Sequence, residues 1–162
     1  RDEARTPMQW SDAEHAGFTT AQATPWLPLH PGYKQVNVAA ALADPESLLH
    51  CYRRILRLRA SEPALSSGSL KLHSESKLPA DVLGYRRAEG DRWFDVLCNF
   101  SDQEQPINVP GERPSVLFST YAEIGPVYGR HYLLRPFEAI VAQVLTDSRL
   151  SPSPASGSIP RR

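Results

Sequence analysis

The opening decapeptide, Arg1-Asp2-Glu3-Ala4-Arg5-Thr6-Pro7-Met8-Gln9-Trp10, gathers groups that bind a neutral sugar. Arg1 and Arg5 stand four residues apart and can direct paired N–H donors at hydroxyl oxygens. Gln9 adds an amide, and the indole of Trp10 offers an apolar face for the C–H side of a sugar ring. The same residues admit a plainer reading, in which the arginines pair with Asp2 and Glu3 at the surface and Trp10 packs into a core.

The remaining reactive side chains point to little chemistry. His15, His30, His50, His73 and His131 are dispersed, without an i,i+4 pair or a cysteine partner, so structural or surface positions are expected and no metal site. Cys51 and Cys98 are too few for a disulfide framework and are expected to be reduced and buried. No motif calls for a cofactor. Lysine plus arginine equal aspartate plus glutamate at 18 each, which leaves no basic excess to recruit nucleic acid or an anionic membrane. No stretch approaches the roughly 20 apolar residues of a membrane span. The chain opens on Arg1 with no apolar run behind it, so a cytoplasmic location without a signal peptide is expected. An opening that is neither Met nor a processed signal reads like a cut inside a longer protein.

The elements that would position these groups follow from spacing. With 162 residues, 41% of them apolar, the chain can bury one small domain plus part of another. Residues 1–43 scatter aromatics among Pro, Gly, Thr and Asp without periodicity, as a long ordered loop with a short strand near 36–38. Residues 44–60 predict a helix, with Asp44 as cap and Pro45 in the first turn. Leu48, Leu49, Tyr52, Ile55, Leu56 and Leu58 form its apolar stripe, and Arg53, Arg54, Arg57 and Arg59 suit its C-terminal half. Pro63 ends it. From Gly68 onward, strands are predicted at 70–73, 82–87, 93–100, 107–109, 116–119 and 139–145, with a hairpin turn at Glu89-Gly90-Asp91 and a break at Pro110-Gly111. The stretch from Tyr121 to Tyr132 reads as a loop of no assigned function. Residues 147–162 are rich in Pro, Ser and Gly and are expected to be disordered.

RDEARTPMQW, then HAGFTT, then PWLPLHPGYKQVNVAAALADPESLL, closely resembles the α-glucosidase and oligo-1,6-glucosidase group of glycoside hydrolase family 13. The resemblance runs from residue 1 to about 145 and is densest over the first 60. It implies a mainly β chain. Residues 1–62 would be the last loop and final helix of a truncated (β/α)8 barrel, and residues 63–146 a C-terminal antiparallel β-sandwich.

The resemblance also implies a function: retaining hydrolysis of non-reducing-end α-glucosyl bonds in short oligosaccharides of the maltose or isomaltose kind. Arg5 would reach the terminal glucose and pair with an aspartate earlier in the barrel, closing the pocket. Arg1 would lie beside the entrance. The catalytic carboxylates belong to preceding barrel strands, and Asp2, Glu3, Asp12 and Glu14 do not match their motifs. No catalytic residue is therefore expected in this chain, which alone should be inactive. Pro7, Trp10, Phe18 and Trp26 are expected to pack and hold the loop. One departure from the family pattern is Ser11-Asp12 where Asp directly follows Trp; either side chain can cap the next turn.

Three other identities remain open. A transglycosylating relative, such as a sucrose isomerase or trehalose synthase, shares the pattern, although Thr6 looks more like the glucosidases than the trehalose synthases. A non-catalytic transporter heavy-chain ectodomain shares the fold, but the intact pair of Arg1 and Arg5 favours the enzyme. A freestanding carbohydrate-binding module would need an exposed aromatic row that residues 63–146 do not display. The β-domain itself is expected to be structural, covering the apolar stripe of residues 48–58.

Overall fold

A computed structural model of the chain describes residues 5–74, 77–109 and 114–144. Arg1, the break at Pro110-Gly111 and the expected disordered tail lie outside these residues. The chain divides into two compact units, Arg1–Ser61 and Glu62–Arg162.

In the first unit, the loop leads into α1, Val38–Ala43. Asn37 caps it: its Oδ1 accepts from the Ala40 N–H at 2.8 Å, while its Nδ2 donates to the Tyr33 carbonyl at 2.9 Å. The short strand expected at 36–38 is thus a helix start, because a strong cap and a run of alanines outweigh two valines. Asp44 does not cap the following helix. It closes α1 in extended conformation, its N–H bonding the Ala40 carbonyl, and its Oδ1 accepts from the Glu46 N–H. The long helix α2 runs Leu48–Ser61, later than the expected start, with the Ser47 hydroxyl receiving the His50 N–H. None of its residues is buried: Leu48, Tyr52 and Leu56 are 71, 60 and 58% exposed.

The second unit opens on α3, Pro63–Ser66, with proline at its first position. Among the described residues seven strands follow: β1 Ser69–Leu72, β2 Val82–Glu89, β3 Arg92–Asn99, β4 Gln105–Asn108, β5 Ser115–Ser119, β6 His131–Leu134 and β7 Ala139–Val144. A five-stranded sheet, β1-β2-β3-β7-β5, and a two-stranded sheet, β4-β6, are antiparallel throughout. The hairpin turns where expected, with Gly90 at φ +57° between Glu89 and its partner Arg92. The additional strand is β6, whose residues alternate exposed and buried inside what reads as the end of a loop.

Alternation on the strands builds the core. Val82, Leu97, Ile140, Ala142 and Val116 of the larger sheet meet Ile107, Val109, Tyr132 and Leu134 from the smaller sheet and its flank. This is the antiparallel β-sandwich implied by the resemblance. Cys51 and Cys98 are free thiols, half-buried rather than sealed, and burial pushes the Cys98 thiol up.

Candidate functional site

The loop of the first unit is held by its own backbone. Val38 and Ala39, at the start of α1, donate to the carbonyls of Gln9 and Trp10 at 2.9 and 3.0 Å. The N–H groups of Trp10 and Ser11 both donate to the carbonyl of Ala16, at 2.9 and 3.1 Å. That carbonyl is presented by a left-handed run, His15, Ala16 and Gly17 at φ 52, 56 and 66°. Left-handed backbone costs a residue with a Cβ on the order of 1 kcal/mol. Glycine at 17 is required twice over, since an added Cβ would also meet the Ser11 hydroxyl at 2.6 Å. Ser11 Oγ in turn accepts the Ala13 N–H at 3.3 Å, the capping role expected where the sequence departs from the family pattern.

Arg5 stands at the head of this clamped segment. It is exposed, and no hydrogen bond or ion pair holds its guanidinium among the described residues. Four residues on, the Gln9 Nε2 amide is shielded from solvent and finds no acceptor among the described residues. Both are donors, as a hydroxyl-rich ligand requires. Arg1, the other arginine of the motif, lies outside the described residues. Of the four residues expected to pack, Pro7 is buried. Trp10 and Phe18 are about half exposed at 50 and 51%, and Trp26 at 90%, so within this chain these rings do not pack as expected. The described carboxylates Asp12, Glu14, Asp44 and Glu46 are all exposed side chains on the loop and on helix-capping turns.

Two polar centres in the second unit were not anticipated from sequence. Asp95 is fully buried on β3. Arg86, opposite it on β2, donates through Nε and Nη2 at 2.9 and 2.8 Å, and His73 Nε2 lies 2.8 Å from Oδ1. Glu138, also fully buried, accepts from the Ser119 and Tyr132 hydroxyls and from both the backbone and the guanidinium of Arg135. Burial pushes the Glu138 carboxyl up, but the hydrogen bonds from Arg135, Ser119 and Tyr132 outweigh it and hold the group below its ordinary value. The Tyr132 hydroxyl is raised by burial and by its bond to Glu138. Arg135 also reaches the Glu123 carbonyl and stacks on Tyr121, which fastens the 121–132 loop. A carboxylate breaking the apolar run Trp93-Phe94-Asp95-Val96-Leu97 was the available signal for the first centre. Both are saturated by protein donors, which marks them as structural.

The profile of the α-amylase catalytic domain matches residues 1–68. Oligo-1,6-glucosidase from Halalkalibacterium halodurans is 39% identical over 145 residues, covering 87% of this chain and 25% of that protein. The chain belongs to the α-amylase family, glycoside hydrolase family 13. Within this family it is also similar to glucan 1,6-alpha-glucosidase from Streptococcus pneumoniae, at 36% identity over 90% of this chain and 26% of the relative. The crystal structure of trehalulose synthase from Pseudomonas mesoacidophila MX-45 superposes with a TM-score of 0.74 at 31% identity, covering 88% of this chain and 25% of that one. The chain thus spans about a quarter of the length of these relatives. The α-amylase match stops one residue before β1, so the clamped loop, α1, α2 and α3 fall inside it and the β-sheets follow it.

Proposed function

We propose that this chain is the C-terminal quarter of an α-glucosidase that cleaves α-1,6-glucosyl bonds at the non-reducing end of short oligosaccharides. The observation that carries the reading is Arg5: an exposed guanidinium with no partner among the described residues, at the head of a backbone-clamped loop, inside the stretch that matches the α-amylase catalytic domain. The 1,6 linkage is supported by the names of relatives at 36–39% identity, oligo-1,6-glucosidase and glucan 1,6-alpha-glucosidase.

In this reading Arg5 donates to hydroxyls of the terminal glucose, and its planar fork fixes the sugar's orientation. An aspartate outside this chain pairs with it and closes the pocket. Arg1 lines the entrance. Hydrolysis is retaining, through two carboxylates outside this chain, so the 162 residues alone are inactive. The exposed stripe of α2 is then the face that packs on the remainder of the barrel.

The test grafts this chain in place of the corresponding segment of the Halalkalibacterium halodurans enzyme. The chimera should hydrolyse isomaltose in preference to maltose, and release glucose first as the α-anomer. In that chimera Arg5→Ala should lower kcat/KM by about 100-fold, on the order of 3 kcal/mol of transition-state binding. Unchanged kinetics would remove Arg5 from the subsite. The structural similarity to trehalulose synthase favours a second reading, transglycosylation. Sucrose distinguishes them: an isomerase returns an isomeric disaccharide, whereas a hydrolase releases free glucose and fructose.

A further inference from the structure

The stretch from Tyr121 to Tyr132, to which the sequence assigns no function, lines one side of a cavity of about 540 Å³ in the second unit. Its floor is the outer side of the two-stranded sheet. The alternation that sends Ile107, Tyr132 and Leu134 into the core leaves Pro106, Asn108, His131 and Leu133 exposed on the opposite face, and these four line the cavity. Across the strands Pro106 stands opposite Leu133 and Asn108 opposite His131, so an apolar pair lies beside a polar pair. Tyr128, 72% exposed, stands at the rim. The backbone presents it: Tyr128 and His131 each donate an N–H to the other's carbonyl, at 3.0 and 2.9 Å, around a turn with Gly129 at φ +63°. Further back in the loop the Gly125 N–H donates to the Tyr132 hydroxyl at 3.2 Å, and Arg135 donates to the Glu123 carbonyl at 2.7 Å. Tyr132 and Arg135 are themselves held by the buried Glu138, so the structural centre also fixes the wall of the cavity.

The two kinds of surface select the ligand. A wholly apolar molecule would cut the Asn108 amide, the His131 imidazole and the Tyr128 hydroxyl off from water and give them no partner. A compact ion would leave the Tyr128 ring, Pro106 and Leu133 without a contact. A pyranose carries both matching surfaces: an apolar C–H face that lies on an aromatic ring, and hydroxyls that donate and accept, as the amide and the imidazole do. We propose that this cavity is a second, non-catalytic binding site for a neutral sugar, stacked on Tyr128 above Pro106 and Leu133, with its hydroxyls toward Asn108 and His131. The cavity falls within the roughly 300–1,000 Å³ of small-molecule sites, and its wall is formed before the ligand arrives, which lowers the ordering cost of binding. One ring beside one polar pair makes a single subsite and not the aromatic row of a freestanding binding module. Every residue that forms it belongs to the second unit, so the site is independent of Arg5. That the sugar is an α-glucoside rests on the glucosidase reading; that a sugar binds does not.

Amide chemical-shift titration of the 162-residue chain with isomaltotriose, maltotriose, cellotriose and a proline-rich peptide tests it. The α-linked sugars should give saturable shifts at Tyr128, His131 and Leu133. Cellotriose binding as tightly as they do would keep the sugar site and detach it from the glucosidase reading. Tyr128→Ala should weaken the sugar at least about tenfold, about 1.4 kcal/mol, and Tyr128→Trp should retain it. Because the Tyr128 side chain is exposed, Tyr128→Ala should melt as the wild type does. Arg5→Ala should leave the shifts in the second unit in place, whereas their loss would assign the sugar to Arg5 and overturn the proposal. Absence of saturable shifts at these residues with all of the sugars, undiminished affinity in Tyr128→Ala, or binding of the peptide there in place of the sugars would each overturn it as well.

Discussion

In the second unit, Phe94, Leu97, Leu134 and Ile140 are fully sealed, and the polar groups buried with them are met by donors on every side. In the first unit, α2 buries none of its residues, and Trp26 stands 90% exposed. Arg5 has no protein partner among the described residues, although the backbone that carries it is tightly bonded. The two units divide the tasks of a fold. One buries an apolar core and meets the charges buried within it, Asp95 and Glu138, with donors, and so can be stable by itself. The other has well-defined local geometry but, among the described residues, leaves the apolar stripe of α2 and the guanidinium of Arg5 exposed. A charged residue sealed and fully bonded, such as Glu138, is scaffold; Arg5, exposed and without a partner among the described residues, is the residue proposed above to meet a ligand.

The largest expected effect attacks the scaffold. Glu138→Ala leaves the Arg135 guanidinium and two hydroxyls without their acceptor, and should destabilise the second unit by about 3–5 kcal/mol in chemical denaturation. The same carboxylate sets an acid limit. Its folded-state titration lies below the ordinary value, so its stabilisation is complete above the unfolded-state value and disappears as pH falls through the folded-state value. Wild type should therefore lose stability on acidification more steeply than Glu138→Gln. Parallel acid profiles for the two proteins would contradict this role.

Leu97→Ala should remove about 2–5 kcal/mol by leaving a cavity between the sheets. Equal loss of structure in both units on melting, followed residue by residue, would break the comparison by showing that they unfold as one. A smaller effect is expected in the loop. Gly17→Ala forces a Cβ into left-handed backbone and against Ser11 Oγ, and should cost about 1–3 kcal/mol locally. Amide exchange at Trp10 and Ser11, whose N–H groups bond Ala16, should accelerate while exchange in β3 does not.

The smallest effect on stability concerns the open face. Leu48→Lys, Tyr52→Lys and Leu56→Lys together should shift the melting of the second unit by no more than about 0.5 kcal/mol. The isolated wild-type chain should self-associate in light scattering, because exposed apolar patches promote association, and the triple variant should not. A wild-type chain that stays monodisperse would show that the stripe of α2 is already satisfied.

Much of this was legible in order along the chain. Runs of Val, Ile, Leu and aromatic residues between turn signals announced β2, β3, β5 and β7, and Glu89-Gly90-Asp91 announced the hairpin of β2 and β3. Strand β6 escaped because only Tyr132 and Leu134 face inward, and the loop before it is fixed by Arg135 and Glu138 rather than by local pattern. At the helix, Asp44 resembled a cap because it precedes Pro45 and Glu46. The first bond of α2 instead runs from the Cys51 N–H to the Ser47 carbonyl, which puts the start at Leu48.

The amino-acid order by itself determined the arginine motif, the β-rich second half and the apolar stripe of α2, since each depends on side-chain type at fixed spacing. Tertiary structure alone decided which charges are spent and which are free. Asp95 meets His73 from 22 positions away, and Glu138 meets Ser119 from 19, distances over which no local spacing rule operates. Pairing removes a charge from the surface only when the fold brings its partner into contact, and that depends on the register of strands across the sheet.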